Sequence, residues 1–365
     1  MDTGSEERER GVTVDIAQHH FTTENVDFTI LDAPGHRDFV PNMIGGASMA
    51  DLAVLVVDAN QLESGMKGQT REHVLLAKAV GLKRIVVAVN KLDATTPEAW
   101  SQTTFEKVQN EIVKFLGDSG FAEEDVTVVP CSGLNGDNVE KAPKSTAAGW
   151  VSQAHPTLLQ ALEHSISSEA SAAKFIKQPF RMQITDVFRG SVTNPLSIAG
   201  RIRKGNLQTG DSVLVQPSGE AATIKAIEIG DEVQDYAVAG QICTLHLSDI
   251  DPIHLRTGDT VCSTVSPARV VKTFNAKIEA TDSLLPQAVD VHLGRLHAPG
   301  TTSQLVSTVD ANGEVVKRKP RIVKAGQRAV VKIRLEDGVP VEAGEGVVLR
   351  AAGSTVAYGV VEETQ

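Results

Sequence analysis

Two short runs in this 365-residue sequence carry side chains whose types and spacing suit nucleotide chemistry. Asp32-Ala33-Pro34-Gly35-His36 follows the apolar run Val26 to Leu31. An aspartate at a strand end with a glycine three residues on has the Walker B spacing. The carboxylate holds Mg²⁺, usually through water, and the glycine N–H approaches a terminal phosphate with no side chain in the way. The same residues also suit a plain turn, because Asp, Pro and Gly all favour one. Asn90-Lys91-Leu92-Asp93 follows a second apolar run, Arg84 to Val89. In the Asn-Lys-x-Asp spacing, the Asp93 carboxylate accepts hydrogen bonds from N1–H and the N2 amine of guanine. The Lys91 stem lies over the base and Asn90 braces the loop. Adenine lacks that donor pair, so it would leave buried groups unpaired. The plain alternative is a solvated polar loop, and its place directly after a strand that reads as buried argues against this.

Two weaker signals accompany them. Pro130-Cys131-Ser132-Gly133-Leu134 follows the run Val126 to Val129. In GTPases such a loop offers backbone N–H groups to the guanine O6, although Ser-Gly alone is a generic turn. Upstream lies Arg10-Gly11-Val12-Thr13. In a GTPase a threonine here is the switch I residue, whose hydroxyl ligates Mg²⁺ and whose N–H meets the γ-phosphate. From spacing alone, a threonine opening a β-strand is the better reading of Thr13.

The elements that must hold these runs alternate in type. The β-branched runs at Val26 to Leu31, Leu52 to Val57, Arg84 to Val89 and Val126 to Val129 are interleaved with helical patterns. Those patterns fall at Thr70 to Val80, Glu98 to Leu116 and Thr157 to Ile166. This predicts a mostly parallel, doubly wound sheet, whose ligands sit at the carboxyl ends of its strands. From about Lys174 to Pro179 the character changes. Short alternating runs are broken by turn signals such as Lys204-Gly205-Asn206 and Thr257-Gly258-Asp259, which predicts β-barrels with a further boundary near Ser266-Pro267-Ala268.

Composition narrows the classes. Apolar residues make up 41% and charged residues 22% of the chain, as in ordinary globular proteins. No apolar run approaches the roughly 18 residues of a membrane span, and the acidic opening Asp2 to Arg10 is not a signal peptide. Three widely spaced cysteines suit a reducing compartment, so the cytoplasm is expected. The net charge of −11 is uneven: residues 1–172 hold 25 acids against 13 bases, and residues 173–365 hold 21 against 22. The acidic half is no general nucleic-acid binder, so neither DNA nor a membrane is expected as a partner. The densest basic run, Glu314 to Arg321, could touch ribosomal RNA phosphates or form a solvated hairpin. His19, His20, His292 and His297 lack metal-ligand spacing and read as structural or surface residues.

Taken together, the sequence resembles the translational GTPases of the EF-Tu superfamily. The likeness is carried by Glu9-Arg10-Gly11-Val12-Thr13-Val14-Asp15-Ile16, by Asp32-Ala33-Pro34-Gly35-His36-Arg37-Asp38-Phe39-Val40-Pro41-Asn42-Met43-Ile44, by Gly68-Gln69-Thr70-Arg71-Glu72-His73 and by the strands around Leu349 to Val360. The resemblance implies an α/β doubly wound G domain followed by two β-barrel domains, placed at 1–172, 178–266 and 270–365. It implies GTP and Mg²⁺ as cofactors. The nucleotide would be held by Asp32, Gly35, Asn90, Lys91, Asp93, Ser132, Gly133 and Leu134, and the metal by Thr13 and Asp32. It gives His36 the catalytic role of orienting the attacking water, which suits an imidazole of pKa about 6.5.

Aminoacyl-tRNA carriers of the superfamily usually have Cys where Ala33 stands and Lys where Pro41 stands. Ala33 with Phe39-Val40-Pro41-Asn42 resembles the termination and rescue branch, and Val12 favours rescue. The chain is most similar to the Pelota-partnered ribosome-rescue GTPases of the Hsp70-subfamily-B-suppressor type. That implies delivery of a Pelota-like decoding factor to a stalled ribosome. A termination-factor or elongation-factor GTPase, and a partner-binding module that does not hydrolyse GTP, are the alternatives.

One departure stands out. The 365 residues contain no Gly-x-x-x-x-Gly-Lys-Ser/Thr, and no glycine is followed directly by lysine. That pattern supplies the anion cradle, a lysine on the β/γ-phosphates and a hydroxyl ligand of Mg²⁺. The expectation is an N-terminally shortened G domain that lacks the first strand, with weak or absent GTP binding. The missing strand would leave the edges of Val26 to Leu31 and Leu52 to Val57 facing each other unpartnered, with apolar surface exposed.

Overall fold

The run Arg84–Asn90 is apolar on both faces, and five consecutive residues, Ile85 to Val89, are buried. Such a run belongs in the middle of a parallel sheet covered on both sides. In this computed structural model it lies there. The residues described are 17–32, 40–61, 69–166, 172–188, 196–230, 232–310 and 312–362. The chain divides into two units, Met1–Met43 with Ala50–Glu169 and Ile44–Met49 with Ala170–Gln365.

In the first unit β1 (Ala17–Thr22) and β2 (Asp27–Asp32) form an antiparallel hairpin, and Phe21 and Phe28 stack across it with centroids 4.9 Å apart. Beyond α1 (Val40–Ala47), the strands β3 (Leu52–Asp58), β4 (Arg84–Asn90) and β5 (Val126–Pro130) form a parallel sheet with β4 in the centre. The helices α2 (Gln69–Ala79) and α3 (Gln102–Asp118) lie along the connections between these strands. On one face Phe105, Val108, Ile112 and Leu116, spaced at helical intervals on α3, bury against Val57, Val87, Val89 and Val128. On the other face Ala161, Leu158 and Leu162 of α5 (Leu158–Ile166), which follows the short α4 (Gly149–Ala154), pack on Val86 and Val129. Helices on both faces of a parallel sheet make this a doubly wound α/β domain.

The helix expected from Glu98 starts at Gln102 instead. Thr95 Oγ1 donates to the Glu98 carbonyl at 2.7 Å and accepts from Ser101 N at 3.2 Å, which ties residues 95–101 into a turn. Ser101 then caps the helix, its hydroxyl accepting from Thr104 N at 3.3 Å. Among the described residues β2 pairs only with β1, and β3 pairs only with β4. On the face of β3 opposite Leu55 and Val57, Val54 is 45% and Val56 63% exposed. No helix among the described residues is long and apolar enough to cross a membrane.

Besides the segment Ile44–Met49, the second unit holds α6 (Ala172–Ile176) and is otherwise built mainly of strands that close on themselves. One six-stranded barrel is formed by β6 (Arg181–Phe188), β7 (Ser197–Lys204), β8 (Ser212–Gln216), β9 (Glu220–Ile229), β10 (Ile242–Ser248) and β11 (Thr260–Ser263). Its interior is lined by Met182, Ile184, Ile198, Ile202, Val215 and Leu245. The second is formed by β12 (Val270–Ala280), β13 (Ala288–Leu293), β14 (Leu296–Val309), β15 (Arg328–Pro340), β16 (Gly346–Ala351) and β17 (Ser354–Val361), around Phe274, Ile278, Val291, Ile333 and Leu349. Closure removes the sheet edges that short strands would otherwise expose. Gly205 shows why the turn signals are glycines: its φ is +78°, and a Cβ there would sit 2.6 Å from Phe180 N.

A charged cluster ties the two barrels together. Glu342, from the second, accepts from Lys204 Nζ at 2.8 Å and from Arg181 Nε, while Glu345 accepts from Arg203 Nη1 at 2.5 Å. Gln183 Nε2 donates to the Leu293 carbonyl at 2.9 Å, and its Oε1 accepts from Arg295 N at 2.9 Å. Burial by itself would raise the Glu342 pKa, but the bonds from Lys204 and Arg181 outweigh it and hold the carboxyl below its usual value. A depressed carboxylate pKa contributes stability above the unfolded value, and that stability is lost as pH falls through the folded one. We therefore expect Glu342→Ala to lower unfolding stability at pH 7 by about 1–3 kcal/mol, because buried Arg181 loses its partner. Denaturant titrations should show the gap to the parent chain closing once the pH drops below the usual carboxylate range.

Candidate functional site

The parallel register sets the site. Asp58 pairs with Asn90 and Val89 with Pro130, so the carboxyl ends of β3, β4 and β5 finish side by side. The loops that follow lock to one another. Asn90 Oδ1 accepts from both Lys91 N and Gly133 N at 2.8 Å, joining the loop after β4 to the loop after β5. Two main-chain bonds reinforce the joint, Cys131 N to the Val89 carbonyl at 2.9 Å and Leu92 N to the Cys131 carbonyl at 3.4 Å. Asn138, buried with φ +57°, donates to the carbonyls of Pro130 at 2.8 Å and Pro156 at 3.1 Å and fixes the far end of the second loop. Asparagine is one of the few residues with a side chain that visits αL readily, and here its side-chain nitrogen serves two carbonyls.

Lys91 adopts φ +65°, ψ +30°, an uncommon conformation for a residue with a Cβ and one that concentrates at functional loops. Its ammonium lies 2.7 Å from Asp58 Oδ2. Burial would raise the Asp58 pKa, but the hydrogen bond from Lys91, that from Asn60 N and the Lys91 charge together hold it below the usual value. Leu92 is fully buried and anchors the loop, so that Asp93 stands at its rim. Asp93 Oδ2 accepts from Asn135 Nδ2 at 3.2 Å.

The structure thus brings Asn90, Lys91, Asp93, Ser132, Gly133 and Leu134 into one neighbourhood, with roles finer than their spacing suggests. Ser132 is buried; its N–H donates to the Asp137 carbonyl at 3.0 Å, and its hydroxyl accepts from Asn135 N at 3.4 Å. Gly133 N is taken by Asn90. Two of the three N–H groups expected to face guanine O6 are therefore already engaged. Leu134, 92% exposed, has the N–H of the three that makes no hydrogen bond among the described residues. Cys131 lies beneath; burial and then the negative charge of Asp93 push its thiol up to about 11, so it stays protonated and inert. Asp58, Asn60 and Asn135 escaped the sequence reading. The signal that could have found them is position, since each follows a strand end of the parallel sheet.

The phosphate side is less fully drawn. Asp32 closes β2, paired with Ala17. Thr13, Gly35 and His36 lie outside the described residues. The groups gathered here, a carboxylate acceptor at the rim, a lysine on the same loop and a backbone N–H donor across the joint, are chemically suited to a planar base that offers both donors and acceptors. A lone carboxylate such as Asp32 retains Mg²⁺ only with phosphate oxygens and water completing the shell. Among the described residues no group of three or more His, Cys, Asp and Glu side chains is placed to hold a metal ion. His292 and His297 stack with centroids 4.6 Å apart, and His297 faces Asp290, in keeping with a structural role.

Comparison with known proteins agrees with this architecture. Residues 1–168 match the family "Elongation factor Tu GTP binding domain" and residues 288–365 match "Elongation factor Tu C-terminal domain". The chain is 35% identical to Protein HBS1 of Drosophila melanogaster over an alignment 380 positions long, covering 99% of this chain and 55% of that one. It is 37% identical to Elongation factor 1-alpha of Picrophilus torridus, covering 91% of this chain and 77% of that one. Thus the chain spans only about half the length of the fly protein. Among solved structures, translation elongation factor SelB of Methanococcus maripaludis, in complex with the GTP analogue GppNHp, shares the fold. The TM-score is 0.77 at 21% identity, over 97% of this chain and 74% of that one. The chain belongs to the elongation factor Tu superfamily of translational GTPases.

Proposed function

We propose that this chain acts in the cytoplasm in ribosome rescue, delivering a Pelota-like decoding factor to stalled ribosomes, and that its G domain reads guanine through Asp93. The observation that carries the base reading is the joint at Asn90, which holds Asp93 and the Leu134 N–H on neighbouring strand ends. Asn90, Lys91, Asp93 and the Ser132–Leu134 loop hold the base, and GTP with Mg²⁺ supplies the cleavable phosphoanhydride. Asp32, Gly35 and Thr13 are assigned to the phosphates and metal, and His36 to the attacking water. The rescue branch is supported by Ala33 and Pro41 in the sequence and by the match to Protein HBS1 along nearly the whole chain. Identity to Elongation factor 1-alpha is the observation that favours an elongation reading instead. The absence of a Gly-Lys pair in the 365 residues favours weak triphosphate binding and poor hydrolysis by the chain as it stands.

Three measurements test this. Asp93→Asn replaces two acceptors by one acceptor and one donor. Guanosine affinity should fall about 10- to 100-fold, the worth of the lost charge-assisted bonds, while xanthosine, which has a carbonyl in place of the amine, should gain. Ligand-observed NMR with guanosine, xanthosine and adenosine reads this directly, and an unchanged guanosine preference would refute the base assignment. Adding phosphates should help little: GTP should bind within about tenfold of guanosine by titration calorimetry, because the anion cradle pattern is missing. In pull-downs the chain should retain a Pelota-like protein. Retention of a termination factor or of aminoacyl-tRNA in its place would move the assignment to those branches.

A further inference from the structure

We infer that the loop closing β3, through Asp58 and Asn60, is a positioning device for nucleotide recognition that sets Lys91 against the base. This rests on the reading of the Asn90–Asp93 loop as a guanine pocket. Lys91 is held at three points. Ala59 N donates to the Asn90 carbonyl at 3.0 Å, directly before it. Asn60 Nδ2 donates to its own carbonyl at 3.4 Å. Asp58 Oδ2 accepts from its ammonium at 2.7 Å. Asp58 is itself pinned, since its Oδ1 accepts from Asn60 N at 2.9 Å and its backbone pairs with Asn90 across the sheet.

The need for such a device follows from the chemistry of lysine. A four-carbon stem with an exposed ammonium samples many rotamers, and ordering it against a ligand costs side-chain entropy. The αL backbone at Lys91 aims the stem but leaves its end free. A carboxylate at hydrogen-bond distance removes that freedom before any ligand arrives, so less is lost on binding. The ion pair adds little to folding, because Lys91 is largely exposed and exposed pairs are weak. Its effect should therefore appear in ligand affinity.

A double-mutant cycle separates positioning from structure. Guanosine dissociation constants would be measured by ligand-observed NMR for the full chain, Asp58→Asn, Lys91→Met and the double variant, with thermal unfolding recorded for each. Each single variant should weaken guanosine about two- to five-fold, the scale of one exposed charge pair. In the Lys91→Met background, Asp58→Asn should then change nothing, because the group it orients is gone. Unfolding midpoints should coincide. Independent, multiplicative losses, or a parent-like Asp58→Asn, overturn the positioning role while leaving the pocket intact. No guanosine signal from the parent chain, with adenosine as reference, overturns the pocket and this inference with it. Asn60→Ala gives a second arm. It should weaken guanosine in the parent and not in Lys91→Met, and a loss in both would mark it as merely structural.

Discussion

One side-chain oxygen organises the candidate site. Asn90 Oδ1 accepts from the main chain of its own loop and from that of the next, and so converts two adjacent strand ends into one surface. The chemistry of the residue matters. An aspartate would also accept both bonds, but would add a negative charge between Asp58 and Asp93, where no cation besides Lys91 is paired among the described contacts. An amide accepts without charge. The joint is dependable because β4 beneath it is buried along both faces and hydrogen-bonded on both sides, so a slip of register would draw polar Arg84 or Asn90 into the apolar interior.

The barrels obey a different constraint. Their strands gain stability by closing, and the two cylinders are then coupled by charges rather than by apolar contact alone. The two carboxylates are alike in being partly buried, but Arg181 is nearly buried whereas the Lys91 side chain is 59% exposed. The same kind of contact therefore has opposite consequences in the two places. At Arg181, loss of the carboxylate strands a cation with little water around it. At Lys91, loss of the carboxylate merely restores freedom to a solvated chain.

The sequence was legible where local chemistry and period agree. Strands ending in Asp32, Asn90 and Pro130 could be read because β-branched runs stop at polar residues with turn preferences. Barrels could be read from glycine turns such as Gly205. What could not be read depends on pairing between distant segments. Which N–H groups of the Ser132–Leu134 loop remain available is decided by Asn90 and Asp137. The start of α3 is decided by the bonds of Thr95, which compete with an otherwise helical pattern. Asp58, Asn60 and Asn135 carry no motif of their own, and they matter only because parallel register sets them beside Lys91 and Asp93.

That dependence also bears on the proposed reading of a base. The contacts described at the candidate site join the loops that follow β3, β4 and β5, and β4 is hydrogen-bonded on both sides. The outer edge of β3, with Val54 and Val56 open, takes no part in these contacts, and β2 with Asp32 belongs to a separate two-stranded sheet among the described residues. Under the proposed function, guanine would be told from adenine by the loops of these three paired strands, separately from the groups assigned to phosphate and metal.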